Sequence, residues 1–293
     1  MPRNADNAIL YMEAGQTAHA MSALTDSGDH QIFESGVDMW SGANGYEANV
    51  KPNGLATGGG LSVNSGTNNS VKCAALTAYI SGLLKSVAAN NALTVTRGST
   101  GAYKISSIVT DGSTISVVAG TEGSAFSETR AAAGGPPLIG VDSVEIGQVR
   151  LSSTTAAEVT ADEIKQVIGT HQERYDAPTH QIDYDNGRVT MAAALPAIHT
   201  GPVAKKIFAQ FYEPEFSEIQ NASDAVLPET SHSTSSKQIY GGTIGSSSSS
   251  LGQGSFKAYL EDGVADPLIA AKNDTRWFKL HPNRYSGNYL RCQ

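Results

Sequence analysis

Between residues 71 and 118 the chain repeats one short pattern, runs of four to seven β-branched and apolar residues separated by Gly, Asn or Asp. The runs fall at 76–80, 83–87, 93–96, 103–109 and 114–118, with Asp111-Gly112 breaking the last two apart. Each is too short to hold a helix in water and each suits a pleated strand. Strands at this spacing, closed by residues that accept positive φ, imply antiparallel pairing. Composition extends the inference to all 293 residues: 30 are Gly, Ser and Thr are frequent, and only 16% are charged. Helices laced by ion pairs are therefore few, and the expected class is mostly β.

Three regions are expected. Residues 1–60 carry strands and loops, 61–130 form a small additional β unit, and 131–293 form the main β core with a C-terminal arm. The boundary is set at 131–137, Ala-Ala-Ala-Gly-Gly-Pro-Pro, which has little to bury and reads as a linker or extended crossing segment. Gly58-Gly59-Gly60 reads as a flexible connector. Residues 144–151 alternate as a strand with one buried face. Over 160–168 the period changes: Thr160 as N-cap and Glu163 three residues on predict a short flanking helix with a capping box. Asn186-Gly187 between 180–185 and 188–191 predicts a hairpin with a two-residue type I′ turn. A strand over 204–212 is expected to end at Glu213-Pro214, with a sheet edge or loop beyond. Residues 231–254 are largely Ser, Thr, Gly and Gln, and read as partly ordered strands that pair when a neighbouring subunit supplies an edge. The aromatic and cationic end, 277–290, reads as a docked arm.

Chemistry-bearing patterns are sparse. The formal net charge of -8 is spread without a basic cluster, so the chain lacks the cation groups that grip nucleic acid through counterion release. Cys73 and Cys292 read first as free thiols, with a disulfide between them or between subunits as the alternative, because sequence gives no distance. The seven histidines, at 19, 30, 171, 180, 199, 232 and 281, lack paired metal-ligand spacing. Asp183-Tyr184-Asp185-Asn186-Gly187 resembles the start of a calcium loop, but position twelve is Ala194 where an EF-hand needs Glu. Gly242 to Ser246 and Gly252 to Ser255 fail to place Ser between glycines as a hydrolase elbow does. Asp162-Glu163 fits a helix start and Glu261-Asp262 a turn. The expectation is no enzyme, with catalytic, cofactor-binding and metal residues all none. The start lacks a signal-peptide pattern and no apolar run reaches the roughly 18 residues that cross a bilayer, so synthesis in a cytoplasm is expected.

Five stretches carry a family resemblance. Val144 to Arg150, His171 to Pro178 and Leu195 to Gly201, followed by Phe211-Tyr212-Glu213-Pro214-Glu215-Phe216 and Ser235 to Gly241, resemble tail tube proteins of long, flexible-tailed bacteriophages. The resemblance spans about residues 138 to 260 and rests on order and texture. It implies a β-barrel or sandwich with a flanking helix, subunits joined edge to edge in a ring, commonly hexameric, and rings stacked as a tube in the virion. It also implies partners: copies of the chain, the tape measure protein and other tail proteins, and genomic DNA in transit without specific binding, with no membrane and no cofactor. The 61–130 unit lies outside the strongest resemblance and reads as surface decoration. The alternatives are a capsid-decorating or tail-tip protein, or a bacterial surface or carbohydrate-binding β module, which aromatic residues spaced along one strand face would favour.

Overall fold

The computed structural model describes residues 8–42, 45–201, 204–219, 222–226, 230–240, 242–251, 254–258 and 267–292. Nearly all regular structure is antiparallel strand, and among the described residues every sheet is open, so no barrel closes. Two compact units divide the chain: Met1–Thr17 with Pro214–Gln293, and Ala18–Glu213. Strands are numbered β1 to β25 in chain order.

The first unit holds a four-stranded sheet in the order β19, β1, β24, β25: Tyr212–Glu218, Ile9–Ala18, Phe278–His281 and Leu290–Cys292. β1 pairs with β24 from Ile9↔His281 to Met12↔Phe278, and Leu10, Met12 and Leu280 are buried on one face. The C-terminal segment thus contributes two strands of this sheet, with a turn-rich stretch between them. β19 runs through Pro214, where a strand end was expected; as an edge strand it tolerates the missing N–H. Two further strand pairs among the described residues belong to this unit, β20 (Ala222–Val226) with β23 (Ser255–Ala258), and β21 (Thr230–Ile239) with β22 (Gly242–Leu251). One helical turn, Pro267–Ala270, precedes β24.

Among the described residues the larger unit contains five small sheets. Three share one core: β10 (Leu83–Val87), β9 (Leu76–Ile80) and β6 (Gly54–Gly58); β11 (Asn90–Thr94), β8 (Ser70–Cys73) and β7 (Leu61–Val63); and β13 (Ile115–Ala119), β12 (Lys104–Thr110), β14 (Val144–Leu151) and β15 (Ile164–Lys165). Leu55, Val71, Leu76, Ile108, Ile146 and Leu151 meet in that core. A second core, around Phe33, Met191, Ile207 and Phe211, lies under β16 (His180–Asp183), β17 (Arg188–Met191), β4 (Ile32–Glu34) and β3 (Thr25–Asp26), and under β2 (Ser22–Ala23), β18 (Ile207–Gln210) and β5 (Asn49–Pro52).

Several expectations change. Residues 131–137 connect nothing separable: β12 and β14 on either side are paired, and 134–137 are buried. A Cβ on Gly134 would sit 2.0 Å from the Ala125 carbonyl oxygen, so the small residues serve close packing. The 61–130 stretch likewise shares its sheets and core with β6 and β14. Gly58 and Gly59 are a tight corner with φ of +71° and +74°. A Cβ on Gly58 would lie 2.2 Å from the Ala75 carbonyl oxygen.

The helix over 160–168 is a single 3₁₀ turn, Ala161–Glu163. Its capping contact forms, with the Thr160 N–H donating to the Glu163 carboxylate at 2.8 Å. The next residues are drawn into β15, whose Ile164 and Lys165 pair with Val149 and Gln148. An open β14 edge offers backbone partners that so short a helix cannot outbid. The 180–191 hairpin exists, but its loop is four residues, 184–187, with only Gly187 left-handed at φ +63°. Asp183 stabilises this wider loop by accepting from the N–H groups of Asp185 and Asn186, both at 3.1 Å.

Candidate assembly surfaces

The β21–β22 ribbon stands out in the first unit. Ten residue pairs, from Thr230↔Leu251 to Ile239↔Gly242, form one unbroken ladder, and among the described residues no third strand pairs with either edge. At about 3.4 Å per residue each strand extends about 34 Å. Residues 245–250 are Gly followed by five Ser, residue types with little apolar surface to bury. Ser236, Lys237 and Gln238 are exposed, as is Tyr240 at the tip.

The four-stranded sheet of the same unit bears an aromatic row opposite its buried face. Tyr11 pairs with Lys279 in register, and the Tyr11 and His281 rings meet edge to face at 5.6 Å. His281 lies 5.5 Å from Tyr289, and the Lys279 ammonium sits 3.9 Å over the Tyr289 ring and 5.7 Å from that of Phe216. Strand alternation puts these groups on one face. Sequence inspection located the aromatic cluster at the terminus but not its alignment, which depends on pairing with β1.

In the larger unit β10 is an edge strand whose Leu83 and Leu84 are 57% and 54% exposed. Val167 and Ile168 are similarly exposed where the chain turns after β15; the Val167 carbonyl accepts from the N–H groups of Thr170, His171 and Gln172. These are apolar side chains on open strand ends and turns, the positions at which β proteins pair with other chains.

Groups with acid–base potential lie elsewhere. A cleft of about 210 Å³ is lined in part by Asp26, Phe33 and Lys205, but Asp26 accepts from the Gly28 and His30 N–H groups and contacts His30 Nδ1 at 2.5 Å. That carboxylate holds its own turn. Glu145, Glu173, Lys205 and His199 are all buried in this unit, and Arg130 pairs with Glu145. Sequence reasoning did not single them out. In Val144-Glu145-Ile146-Gly147-Gln148-Val149-Arg150-Leu151 the polar residues were expected to face solvent, yet the 127–137 loop covers that side, and Arg130 reaches from it to Glu145 and the Pro137 carbonyl. A register shift opposite Ile108 and Val109 makes Ile146 a bulge, which keeps Ile146, Val149 and Leu151 on the core side.

His199 and Cys73 are accounted for locally, while the side chains of His232 and Cys292 lie outside what is described. His199 Nε2 contacts the Ser143 carbonyl at 3.2 Å, and burial holds its imidazole below the usual range. Cys73 is a free, fully buried thiol whose pKa burial pushes up to about 11, which disfavours thiolate chemistry. Glu261-Asp262 and Gly252-Gln253 lie outside the described residues. Among the described residues no three His, Cys, Asp or Glu side chains gather as a metal site, and no helix is long and apolar enough to cross a membrane. No known protein family, curated protein or solved structure matches the chain.

Proposed function

We propose that the chain is a structural, non-enzymatic virion protein that assembles with copies of itself into stacked rings, forming the tail tube of a long-tailed bacteriophage through which genomic DNA passes. The observation that carries this reading is the β21–β22 ribbon, with ten backbone pairs, a Ser-rich sequence and two open edges among the described residues. An isolated two-stranded hairpin is marginal in water, and this one is largely Ser, Thr and Gly in sequence. A neighbouring copy that completes its ladder supplies the missing stabilisation and removes an aggregation-prone edge, and a closed ring does so for every subunit. The net charge of -8 suits a conduit, since phosphates slide past an acidic wall without adhering. Under this reading the partners are the chain itself, hexameric as in the family it resembles, the tape measure protein and other tail proteins; the mature location is the virion.

The aromatic row of Tyr11, His281, Tyr289 and Phe216 around Lys279 favours a second reading, a carbohydrate-binding β module, because flat ring faces stack against sugars. One experiment separates the two. Electron microscopy of the purified protein across a concentration series is expected to show rings or hollow tubes with a pore of roughly 20 Å or more, closed by repeated contacts between copies. Compact monomers at every concentration that retain a glycan on an array would overturn the tube reading in favour of the second.

A further inference from the structure

In the larger unit, one short segment ties three sheets together. The Glu173 N–H donates to the Glu145 carbonyl at 2.9 Å, and the Leu55 N–H donates to the Glu173 carbonyl at 2.8 Å. Lys205, leading into β18, donates through Nζ to the Arg174 carbonyl at 2.7 Å. Residues 173 and 174 thus join β14, β6 and the approach to β18. The Glu145 N–H donates in return to Glu173 Oε2 at 2.7 Å, so the two acidic residues are locked to each other through backbone and side chain.

The two carboxylates are not equivalent. Glu145 is saturated: Arg130 pairs with Oε2, while Ser107 Oγ and Gln148 Nε2 donate to Oε1 at 2.5 and 3.2 Å. Glu173 accepts only the Glu145 N–H, and its Oε1 is buried with no hydrogen-bond partner. An ionised carboxylate in that position carries a large desolvation cost, whereas a neutral acid does not. We infer that Glu173 is a proton-operated fastener, holding the three-sheet junction as a neutral acid and loosening it when it ionises.

The charged surroundings agree. Burial pushes Glu173 up to about 7, assisted by the Glu145 charge and opposed by Lys205, Arg130 and the Glu145 N–H. Lys205 is itself held down by burial. On Glu173's own segment, Arg174 and Asp176 pair with each other at 3.1 Å. β6 brings Leu55, which has no charge, and His199 is kept toward its neutral form by burial. The native state therefore binds this proton more tightly than the unfolded chain. Its contribution falls as pH rises from the ordinary carboxylate value of 4.5 to about 7, then levels off. His171, His180 and His199, all held down mainly by burial, act oppositely, costing stability as pH falls below 6.5. Only a difference measurement isolates Glu173.

Urea unfolding of the full chain and of Glu173→Gln, across about pH 5 to 7, provides it. The ratio of the wild-type to the variant folding constant is expected to fall with rising pH, at a limiting rate of about tenfold per pH unit. A ratio independent of pH overturns the inference. Infrared spectra of the wild type supply a second measurement should the variant fail to fold. A carbonyl band at the high frequency of an unbonded, protonated carboxyl is expected at about pH 5.5 and is lost by about pH 8.5; its absence at the lower pH overturns the inference equally.

Discussion

At the scale of single residues, burial and not sequence polarity decides what the charged side chains do. Arg130 and Glu145 form a pair that is 13% and 1% exposed, and Arg130 also donates to the Pro137 carbonyl at 2.8 Å. Removing one partner leaves the other charge stranded, which costs more than the pair itself contributes. Arg130→Ala is therefore expected to destabilise the protein by about 3 kcal/mol in urea unfolding, and an unchanged midpoint would show that water reaches Glu145. An exposed pair such as Arg188 with Glu34, about half accessible on both sides, contributes far less. Nothing in the sequence distinguishes these two pairs. Glu145 occupies a polar position in a strand pattern, and only the fold of the 127–137 loop reveals that this face is covered.

At the scale of elements, the strands were readable because their period and punctuation agree. Residues 76–80 and 83–87 are β9 and β10 with those bounds, and 188–191 is β17. The mostly β class follows from them. What sequence did not carry was competition between neighbours. Thr160 and Glu163 specify a helix start correctly, yet Ile164 and Lys165 are claimed by the β14 edge. Asn186-Gly187 specifies a hairpin, but Asp183 draws two amides into a four-residue loop. Gly58 shows the same limit: three glycines in a row suggest slack, whereas the corner they make is crowded. Gly58→Ala combines φ of +71° with a Cβ 2.2 Å from the Ala75 oxygen and is expected to cost about 2 kcal/mol by thermal or urea unfolding. A variant as stable as the parent would mean that the corner relaxes. The candidate surfaces were legible only in part, since the Ser-rich tract announced strands, while the aromatic row needed the β1–β24 register to exist.

At the scale of the whole molecule, the larger unit is a continuous stretch of chain, Ala18 to Glu213, and the smaller one is assembled from both flanks. The two ends of that stretch meet: the His19 N–H donates to the Phe211 carbonyl at 2.9 Å, and His19 Nε2 lies 3.3 Å from the Glu213 carboxylate. It also has its own cores, and among the described residues its five sheets pair only its own strands. Expressed alone, residues 18–213 are expected to melt in a single cooperative transition, and a broad, non-cooperative melt would show that the flanks are needed for folding. Adjacent ends make the larger unit a cassette. The chain enters and leaves it at one place, so a short turn in its stead would not lengthen the path of the remaining chain.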